Sequence, residues 1–303
     1  MAPVDVSIIV VTYNTADQIG RCLDSIAAAA CCPQEVIVVD NASTDDGAAL
    51  IGKNYPSVRL MVNTINRGFA AANNQALAVC RGDFILFLNP DTEVQPEALR
   101  RMMAYMENHP HIGLAGPKIV NPDGTLQESV SHRYPGQKRS GDELQGLKGT
   151  IACVLGAAMI ARRECLTVVG GFDEDFFLYG EDQDLCLRLR KAGCEIGYID
   201  EAIIMHLGGQ SERETPTAEL WRKKTRAEYL FYRKHYCPET IACISRGELL
   251  KARFRIAMLN ITGRFPGCRQ KSAAKISKYR ALLDEIGRRG RQEINSHNTV
   301  AKL

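Results

Sequence analysis

Three apolar runs, each followed by a polar loop, organise the N-terminal third of the chain. The runs cover residues 7–11, 36–39 and 84–88, and polar or acidic side chains follow each of them. Short apolar runs separated by helical stretches predict a parallel sheet with helices on both faces. The ligand of such a sheet lies beyond the carboxyl ends of its strands, so we expect the three polar loops to open onto one crevice.

The spacing of apolar positions predicts a regular order of elements up to about residue 110. Strands are expected at about 6–11, 35–39, 58–62 and 84–88, and helices at about 46–53, 69–80 and 96–108, with a further helix carrying Ile19, Leu23, Ile26 and Ala30 on one face. This alternation of strands and helices is typical of a doubly wound, mostly parallel α/β sheet. We therefore predict a nucleotide-binding half over about residues 1–110.

The pattern after residue 110 is less regular. Residues 137–149 are polar and contain glycine, which predicts a mobile loop near the site. The elements expected next are a buried strand at 151–160, a helix from Glu181 or Asp182, short strands at 195–199 and 202–205, and a long amphipathic helix around Trp221. These elements are expected to form the second half of the same domain, over about residues 111–245.

The composition of the 303 residues is that of a globular protein, with 45% hydrophobic and 24% charged residues.

The longest apolar stretch, 151–161, is too short to span a bilayer and contains Gly156, so a soluble or peripheral protein is expected. Residues 1–5 lead directly into the first strand, so no export signal is expected. The 11 cysteines form no C-x-x-C pair. Reduced thiols and a cytoplasmic location are therefore expected.

The formal charge of +3 conceals an asymmetry between the body of the chain and its C-terminal tail. Residues 246–303 contain 14 Lys and Arg against 4 Asp and Glu, a net charge of +10, which leaves −7 for residues 1–245. A solvated helical tail and attraction to an anionic membrane surface both fit this pattern. No recognised nucleic-acid motif accompanies the charge, so nucleic-acid binding is not expected.

Apolar and basic residues are interleaved near the start of this tail. The apolar ones are Leu249, Leu250, Phe254, Ile256, Met258 and Leu259, and the basic ones are Lys251, Arg253 and Arg255. Such a segment is able to lie on an anionic bilayer at the inner face of the cell membrane. Packing on the body of the protein and dimer formation are the alternatives.

The acids that end the apolar runs each have two interpretations. Asp91 follows Asn89 and Pro90, which is good turn chemistry, but a carboxylate at the end of a buried strand also suits a divalent cation that bridges a diphosphate. Asp40 stands where a dinucleotide enzyme places its ribose-binding acid. However, the turn at 12–17 lacks the glycines that such an enzyme requires. Asp45 is expected to serve the nucleotide or to cap the next helix.

Acidic residues are concentrated again at 180–184, directly after an aromatic stretch at 172–179. Acids in the first turn of a helix stabilise it through the macrodipole. The aromatic stretch suggests in addition a general base beside a sugar-binding wall. His206 ends an apolar strand before two glycines and is either structural or a metal ligand. A bound cation would compensate for the repulsion among these acids.

Together these segments resemble family 2 glycosyltransferases of the GT-A fold, and most closely the bacterial rhamnosyltransferase-like members. The motifs that carry the resemblance lie at residues 7–14, 39–45, 66–69, 88–91, 171–174, 180–185, 206–209 and 233–236. The resemblance covers about residues 4–240, and the tail beyond 245 is not covered. We therefore expect a GT-A domain over 1–245 and a basic helical appendage over 246–303.

The resemblance implies roles for individual residues. Those implied to bind the nucleotide sugar are Thr12, Tyr13, Asn14, Asp40, Asn41, Arg67, Gly68, Asn89 and Asp91. Those implied to bind the acceptor are Gly156, Ala157, Phe177 and Tyr179. Asp91 and His206 are expected to hold Mg²⁺ or Mn²⁺, although Asn89 replaces the first acid of the family's D-x-D motif. Asp182 matches the general base, with Glu181 as the alternative.

The function implied is inverting transfer of a sugar from a nucleoside-diphosphate donor, dTDP-L-rhamnose or a UDP sugar, to a hydroxyl of a glycan or lipid-linked acceptor. Synthesis of a cell-surface polysaccharide is the expected setting. A non-catalytic module that binds nucleotide sugars or glycans in the same crevice is the alternative. The missing glycine turn disfavours a dinucleotide oxidoreductase.

Overall fold

The computed structural model describes residues 4–208, 215–262 and 269–300, and Gly209 of the motif at His206 lies outside them. The chain divides into two compact units. We call residues 1–134 with 146–213 the sheet unit, and residues 135–145 with 214–303 the helical unit.

The sheet unit contains the predicted alternation of strands and helices. Its strands are β1 Val4–Thr12, β2 Pro33–Asp40, β3 Arg59–Val62, β4 Phe84–Leu88, β5 Thr92–Val94, β6 Ile112–Val120, β7 Val130–Ser131, β8 Cys153–Val154, β9 Ala158–Arg162 and β10 Glu195–His206. Its helices are α1 Ala16–Ala27, α2 Gly47–Asn54, α3 Phe69–Leu77, α4 Ala98–Asn108, α5 Arg163–Val169 and α6 Glu181–Lys191.

Eight of these strands form one sheet in the order β3-β2-β1-β4-β9-β6-β10-β5. Strands β1 to β4 are parallel to one another, and β10 is parallel to β6. Strand β9 runs antiparallel between β4 and β6, and β5 runs antiparallel along β10. The predicted mostly parallel, doubly wound α/β architecture is therefore confirmed.

The central strand β4 is apolar throughout because both of its faces are covered. Leu86 belongs to a buried cluster that includes Ile8 of β1 and Met102 of α4. On the opposite face Phe87 packs edge-on against Phe172, with ring centroids 4.9 Å apart. Burying a side chain of this size stabilises the fold by about 1.5–3 kcal/mol, so the strand that leads to the Asp91 loop is firmly held.

Two sequence predictions of local structure are corrected. The run at 151–160 forms two strands, β8 and β9, because residues 155–157 turn away from the sheet. There the Leu155 N–H donates to Ser129 O (2.8 Å) and the Ala157 carbonyl accepts from Asn89 N–H (2.9 Å). The strands expected at 195–199 and 202–205 are one continuous strand, β10, whose register shifts between Ile199 and Ile203.

The helical unit contains α7 Thr217–His235, α8 Pro238–Thr262 and α9 Arg269–Val300, with a short 3₁₀ turn at Gln137–Arg139. Tyr229 and Tyr232 of α7 are buried. The Tyr229 hydroxyl donates to Glu248 of α8 at 3.1 Å, and the Tyr232 hydroxyl donates to Glu228 at 2.6 Å. The basic helical appendage is thus present. Helix α8 continues through residue 245, and the domain boundary expected there remains a prediction. Within the described ranges, no helix has both the length and the apolar content needed to cross a membrane.

Candidate active site

The polar loops after β1, β2 and β4 lie side by side at the carboxyl edge of the sheet. Thr12 at the end of β1 is directly opposite Asp40 at the end of β2, and Val10 is opposite Leu88 on the other side. The Asn41 N–H also donates to the Thr12 carbonyl at 2.9 Å, which extends the strand pairing into the loops. Residues implied to bind the nucleotide sugar therefore share one edge of the sheet.

Asp40 has a buried carboxylate with an unused oxygen. Its Oδ2 accepts the Ser43 N–H at 3.2 Å, whereas its Oδ1 has no hydrogen-bond partner among the described residues. The side chain is almost completely buried. An unsatisfied buried acceptor costs about 1–3 kcal/mol, so a ligand N–H or O–H directed at Oδ1 would remove this penalty. Asp40 is suited to recognise a hydrogen-bond donor of a nucleotide.

Asn41 uses its side-chain amide to hold the loop before α3. Its Nδ2 donates to Asn66 Oδ1 (2.9 Å) and to the Gly68 carbonyl (3.1 Å). Its Oδ1 accepts from Asn63 Nδ2 (3.1 Å) and from the Arg67 N–H (3.0 Å). These four bonds place Arg67, which is exposed, beside the carboxyl end of β2. Asn41 therefore positions this loop, whatever direct contact it makes with a ligand.

Among the residues that the structure describes, three other than glycine have positive φ angles, and all three lie in loops of the candidate site. They are Asn14 (φ 53°), Ala42 (φ 66°) and Tyr179 (φ 72°). The backbone strain at Asn14 is offset by a hydrogen bond, because its Oδ1 accepts the Thr44 N–H at 2.8 Å. Ala42 has no polar side chain that could form such a bond. Strained residues of this kind persist where the surrounding structure holds them and often mark functional sites.

Thr12, the last residue of β1, is buried, and its hydroxyl is 2.6 Å from that of Thr15. The next residue, Tyr13, is exposed. Asp45 accepts the N–H of Ala16 at 2.8 Å and that of Gly47 at 3.1 Å, at the starts of α1 and α2. These contacts favour the capping interpretation of Asp45.

Strand pairing brings Asp91 next to His206. Thr92 of β5 is opposite His206 of β10, and the Leu207 N–H donates to the Asp91 carbonyl at 3.0 Å. Asp91 Oδ1 is 3.4 Å from His206 Nε2, and both residues are buried. The two residues that the sequence names as metal ligands therefore face each other.

Gln127 determines which nitrogen of His206 carries the proton. Its Nε2 donates to Asn121 Oδ1 (2.7 Å) and to the His206 carbonyl (2.9 Å), which leaves its Oε1 as the acceptor. His206 Nδ1–H donates to this Oε1 at 2.9 Å. The lone pair of the neutral ring is then on Nε2, directed toward Asp91. Sequence reasoning missed Gln127, because only the hairpin that follows β6 brings it to the end of β10.

A carboxylate oxygen and an imidazole nitrogen that face each other form a donor pair suited to Mn²⁺ or Mg²⁺. Among the described residues, no group of three or more His, Cys, Asp and Glu side chains could hold a metal ion. Mg²⁺ in phosphate-transferring sites commonly takes one or two protein ligands and completes its shell with phosphate oxygens and water. Asp91 and His206 fit a cation that arrives with a diphosphate.

Asp182 is the second residue of α6, and two backbone N–H groups hold its carboxylate. Oδ1 accepts from Gln183 (2.8 Å) and Oδ2 from Gly156 (3.2 Å). Burial raises the pKa of Asp182, and these two hydrogen bonds oppose the rise. The side chain is half-buried and so remains accessible. Because the Asn89 N–H donates to the carbonyl of Ala157, the residue after Gly156, Asp182 is connected to the Asp91 loop through two hydrogen bonds.

Glu181 is more deeply buried than its neighbour. Its Oε2 has no hydrogen-bond partner within the described part of the chain. Burial, followed by the negative charge of Asp182, raises the pKa of Glu181 to about 8. Glu181 therefore keeps its proton near neutral pH, whereas the two backbone N–H groups on the Asp182 carboxylate favour its charged form. This distribution agrees with the sequence-based choice of Asp182 as the base.

The aromatic stretch before α6 is attached to the Arg67 loop. The Phe69 N–H donates to the Phe177 carbonyl at 2.8 Å. Gly68 has φ +82°, and a Cβ at this position would be 2.7 Å from the same carbonyl oxygen. Phe177 exposes 56% of its surface, whereas Phe172 is buried in the core. Phe177 and Tyr179 thus remain candidates for an acceptor-binding wall.

Arg188 anchors the start of this stretch and was not predicted. It pairs with the buried Asp184 at 2.7 Å and donates to the carbonyls of Val169 and Gly171 at 2.8 Å. Asp184 is therefore structural, although the sequence places it in the same acidic cluster as Asp182.

Comparison with known proteins identifies the family. The family described as "Glycosyl transferase family 2" matches residues 7–168, and the "N-terminal domain of galactosyltransferase" matches residues 143–208. The N-acetylglucosaminyl-diphospho-decaprenol L-rhamnosyltransferase of Mycobacterium tuberculosis is 28% identical over 244 residues, covering 70% of this chain and 79% of the relative. The O-antigen biosynthesis protein RfbC of Myxococcus xanthus is 30% identical over 239 residues, covering 71% of this chain and 18% of the relative.

A solved structure with the same fold is the mannosyltransferase PcManGT of Pyrobaculum calidifontis in complex with GDP-Man and Mn²⁺. It aligns with a TM-score of 0.59 at 18% identity, covering 94% of this chain and 89% of that one. The fold is therefore GT-A, as the sequence motifs implied. The family match extends over more than half of the chain and confirms the resemblance found in the sequence. The chain belongs to glycosyl transferase family 2.

Proposed function

We propose that this glycosyltransferase moves L-rhamnose, with inversion, from dTDP-L-rhamnose to a hydroxyl of a lipid-linked saccharide during synthesis of a cell-surface glycan. The observation that carries the proposal is the connection of the Asp182 carboxylate to the Asp91–His206 pair through Gly156, Ala157 and Asn89. This connection brings a proton acceptor and a candidate metal pair to one edge of the sheet. The rhamnosyltransferase and O-antigen relatives support the sugar and the setting.

The donor would lie across the ends of β1, β2 and β4. The unused Asp40 Oδ1 accepts a hydrogen bond from the nucleotide, for which the thymine N–H is a suitable donor. Thr12, Asn14 and Asn41 would lie beside the nucleotide at the ends of β1 and β2. Arg67, held by Asn41, contacts the diphosphate.

Asp91 and His206 would hold Mg²⁺ or Mn²⁺, which would neutralise charge on the departing diphosphate. The PcManGT complex with Mn²⁺ supports a divalent cation. Gln127 keeps the lone pair of His206 directed toward that position. Asn89 stands where the D-x-D motif of the family has its first acid, so the Asp91 loop carries a neutral amide at that position.

Asp182 takes the proton of the acceptor hydroxyl as that oxygen attacks the anomeric carbon. Protonated Glu181 next to it adds no second negative charge, which leaves Asp182 the acceptor of choice near neutral pH. The exposed ring of Phe177 and the Gly156–Ala157 turn would line the acceptor side. The transfer would take place in the cytoplasm, at the inner face of the cell membrane where a lipid-linked acceptor resides.

The test is a donor screen on the full chain with dTDP-L-rhamnose, UDP sugars and GDP-mannose, in Mg²⁺ or Mn²⁺, with an N-acetylglucosaminyl-diphospho-polyprenol acceptor. We expect release of dTDP and formation of a rhamnosylated lipid, with inverted anomeric configuration by NMR. Binding of a donor without turnover would instead support the non-catalytic module. No binding of any nucleotide sugar would contradict both functions.

Asp182→Asn is expected to lower turnover by roughly 10²–10⁴-fold with donor affinity little changed, because the amide cannot take the proton. Asp83→Asn is the matched control, since Asp83 is an exposed acid at the amino end of β4, at the opposite edge of the sheet. An unaltered rate in the Asp182 variant would remove it as the base.

A further inference from the structure

The second half of α8 carries apolar side chains on two opposite faces. Ala252 is buried, and Leu249, Ile256 and Leu259 are half-buried, so these four form the inner face of the helix. A second apolar set lies on the other side and is exposed. Helical spacing separates the two sets, but it does not show which of them is buried.

We call the exposed set the outer stripe. It consists of Leu250, Phe254, Met258 and Ile261, with exposed fractions of 67%, 64%, 44% and 57%. Their spacing of four, four and three residues keeps them on one face of a helix. At about 1.5 Å per residue the stripe is roughly 16 Å long. Large exposed apolar side chains in a continuous row mark an interaction surface.

Basic residues flank the outer stripe on both sides. At about 100° per residue, Lys251 and Arg255 lie on one side of it and Arg253 on the other. All three side chains are exposed. The sequence contains no Asp or Glu between residues 249 and 262. The face therefore combines apolar side chains with an uncompensated positive border.

We propose that the outer stripe docks α8 lengthwise on an anionic lipid bilayer. Phe254 and its apolar neighbours would enter the boundary between headgroups and acyl chains, and the flanking cations would contact lipid phosphates. The stripe is too short to span a bilayer. Pairing of two copies through this face would bring their basic borders together, which the border charge disfavours.

Docking of α8 would hold the enzyme at the surface where a lipid-linked acceptor is located. That consequence rests on the proposed function, whereas the docking itself does not. The two are therefore tested by different measurements, lipid binding for the first and release of the nucleoside diphosphate for the second.

The experiment is flotation of the full chain with vesicles of phosphatidylglycerol and phosphatidylcholine, and with vesicles of phosphatidylcholine alone. We expect recovery in the lipid layer with the anionic vesicles only. The double variant Leu250→Ser, Phe254→Ser should lower binding roughly tenfold or more, because it removes two apolar anchors. Val168→Ser is the matched control, as Val168 is an apolar residue of the sheet unit with 75% exposure.

The charged border is tested separately with Arg255→Glu. This variant should lose anionic vesicle binding, whereas Lys53→Glu, the same change in charge at an exposed position of α2, should retain it. Circular dichroism and thermal unfolding check that each variant is folded. Equal recovery of wild type and the folded double variant would overturn the proposal. So would sedimentation equilibrium that shows a lipid-independent dimer abolished by Phe254→Ser.

Discussion

Glu181 and Asp182 are consecutive in the chain, yet their carboxyl groups have different surroundings. Asp182 receives two backbone N–H bonds at the start of α6, whereas one oxygen of the buried Glu181 receives none from the described residues. Two adjacent acids with different ionisation are a common way to obtain one base at neutral pH. In the proposed function, the half-exposed Asp182 is the group that takes the acceptor proton.

The raised pKa of Glu181 predicts a pH-dependent stability. Its pKa is about 8 in the folded protein against an ordinary value of 4.5, so the folded state binds more protons between these values. Its contribution to the free energy of unfolding is complete below pH 4.5 and decreases as the pH rises toward 8. Glu181→Gln should remove this decrease. Urea unfolding of both proteins across this range tests it, and identical pH profiles would contradict it.

Gln127 is predicted to control metal affinity without touching the metal. Gln127→Met removes the acceptor for His206 Nδ1–H, so the ring loses its fixed tautomer. We expect Mn²⁺-dependent donor affinity to fall about 10–100-fold, measured by calorimetry with and without Mn²⁺. Gln127→Glu keeps the acceptor and should retain more affinity. Equal donor affinity in the Met variant and the wild type would exclude this role.

At the scale of elements, the loop before α3 depends on a glycine at residue 68. Gly68→Ala would strain a backbone with φ +82° and place a Cβ 2.7 Å from the Phe177 carbonyl. We expect lower stability, by about 1–3 kcal/mol, and weaker donor binding because Arg67 is displaced. Chemical unfolding and donor titration measure both effects.

Gly52→Ala in α2 is the matched control for this change. A Cβ on Gly52 meets nothing within 4 Å, so alanine should stabilise the helix by about 0.5–1 kcal/mol. If Gly68→Ala behaved like Gly52→Ala, the loop would not depend on the glycine.

Several elements show what periodicity is able to predict. Strand β4 at Phe84–Leu88 was placed correctly because a fully buried strand reads as a continuous apolar run. The division of 151–160 into β8 and β9 was missed, since apolar side chains continue across the turn at 155–157. That turn is held by hydrogen bonds to Ser129 and Asn89, which are distant in sequence.

At the scale of the whole molecule, the charge asymmetry has a measurable consequence. Residues 246–303 carry a net charge of +10 and residues 1–245 carry −7, so we expect the tail to supply any attraction to an anionic surface. We expect vesicle binding to fall as NaCl is raised from about 0.05 to 0.5 M, because salt screens exposed charges. Flotation at a series of salt concentrations measures this. Binding that does not respond to salt would show that the basic border contributes nothing.

The sequence by itself determined the fold class, the family and two polar loops, one that follows Asp40 and one that contains Asp91. These follow from the order of apolar runs and from short motifs, both of which are local properties of the chain. The tertiary structure alone decided three features: the N–H groups on the Asp182 carboxylate, the Gln127 contact that orients His206, and which apolar face of α8 is buried. Each depends on which distant segments pack together, and pairings of that kind are not encoded in local periodicity.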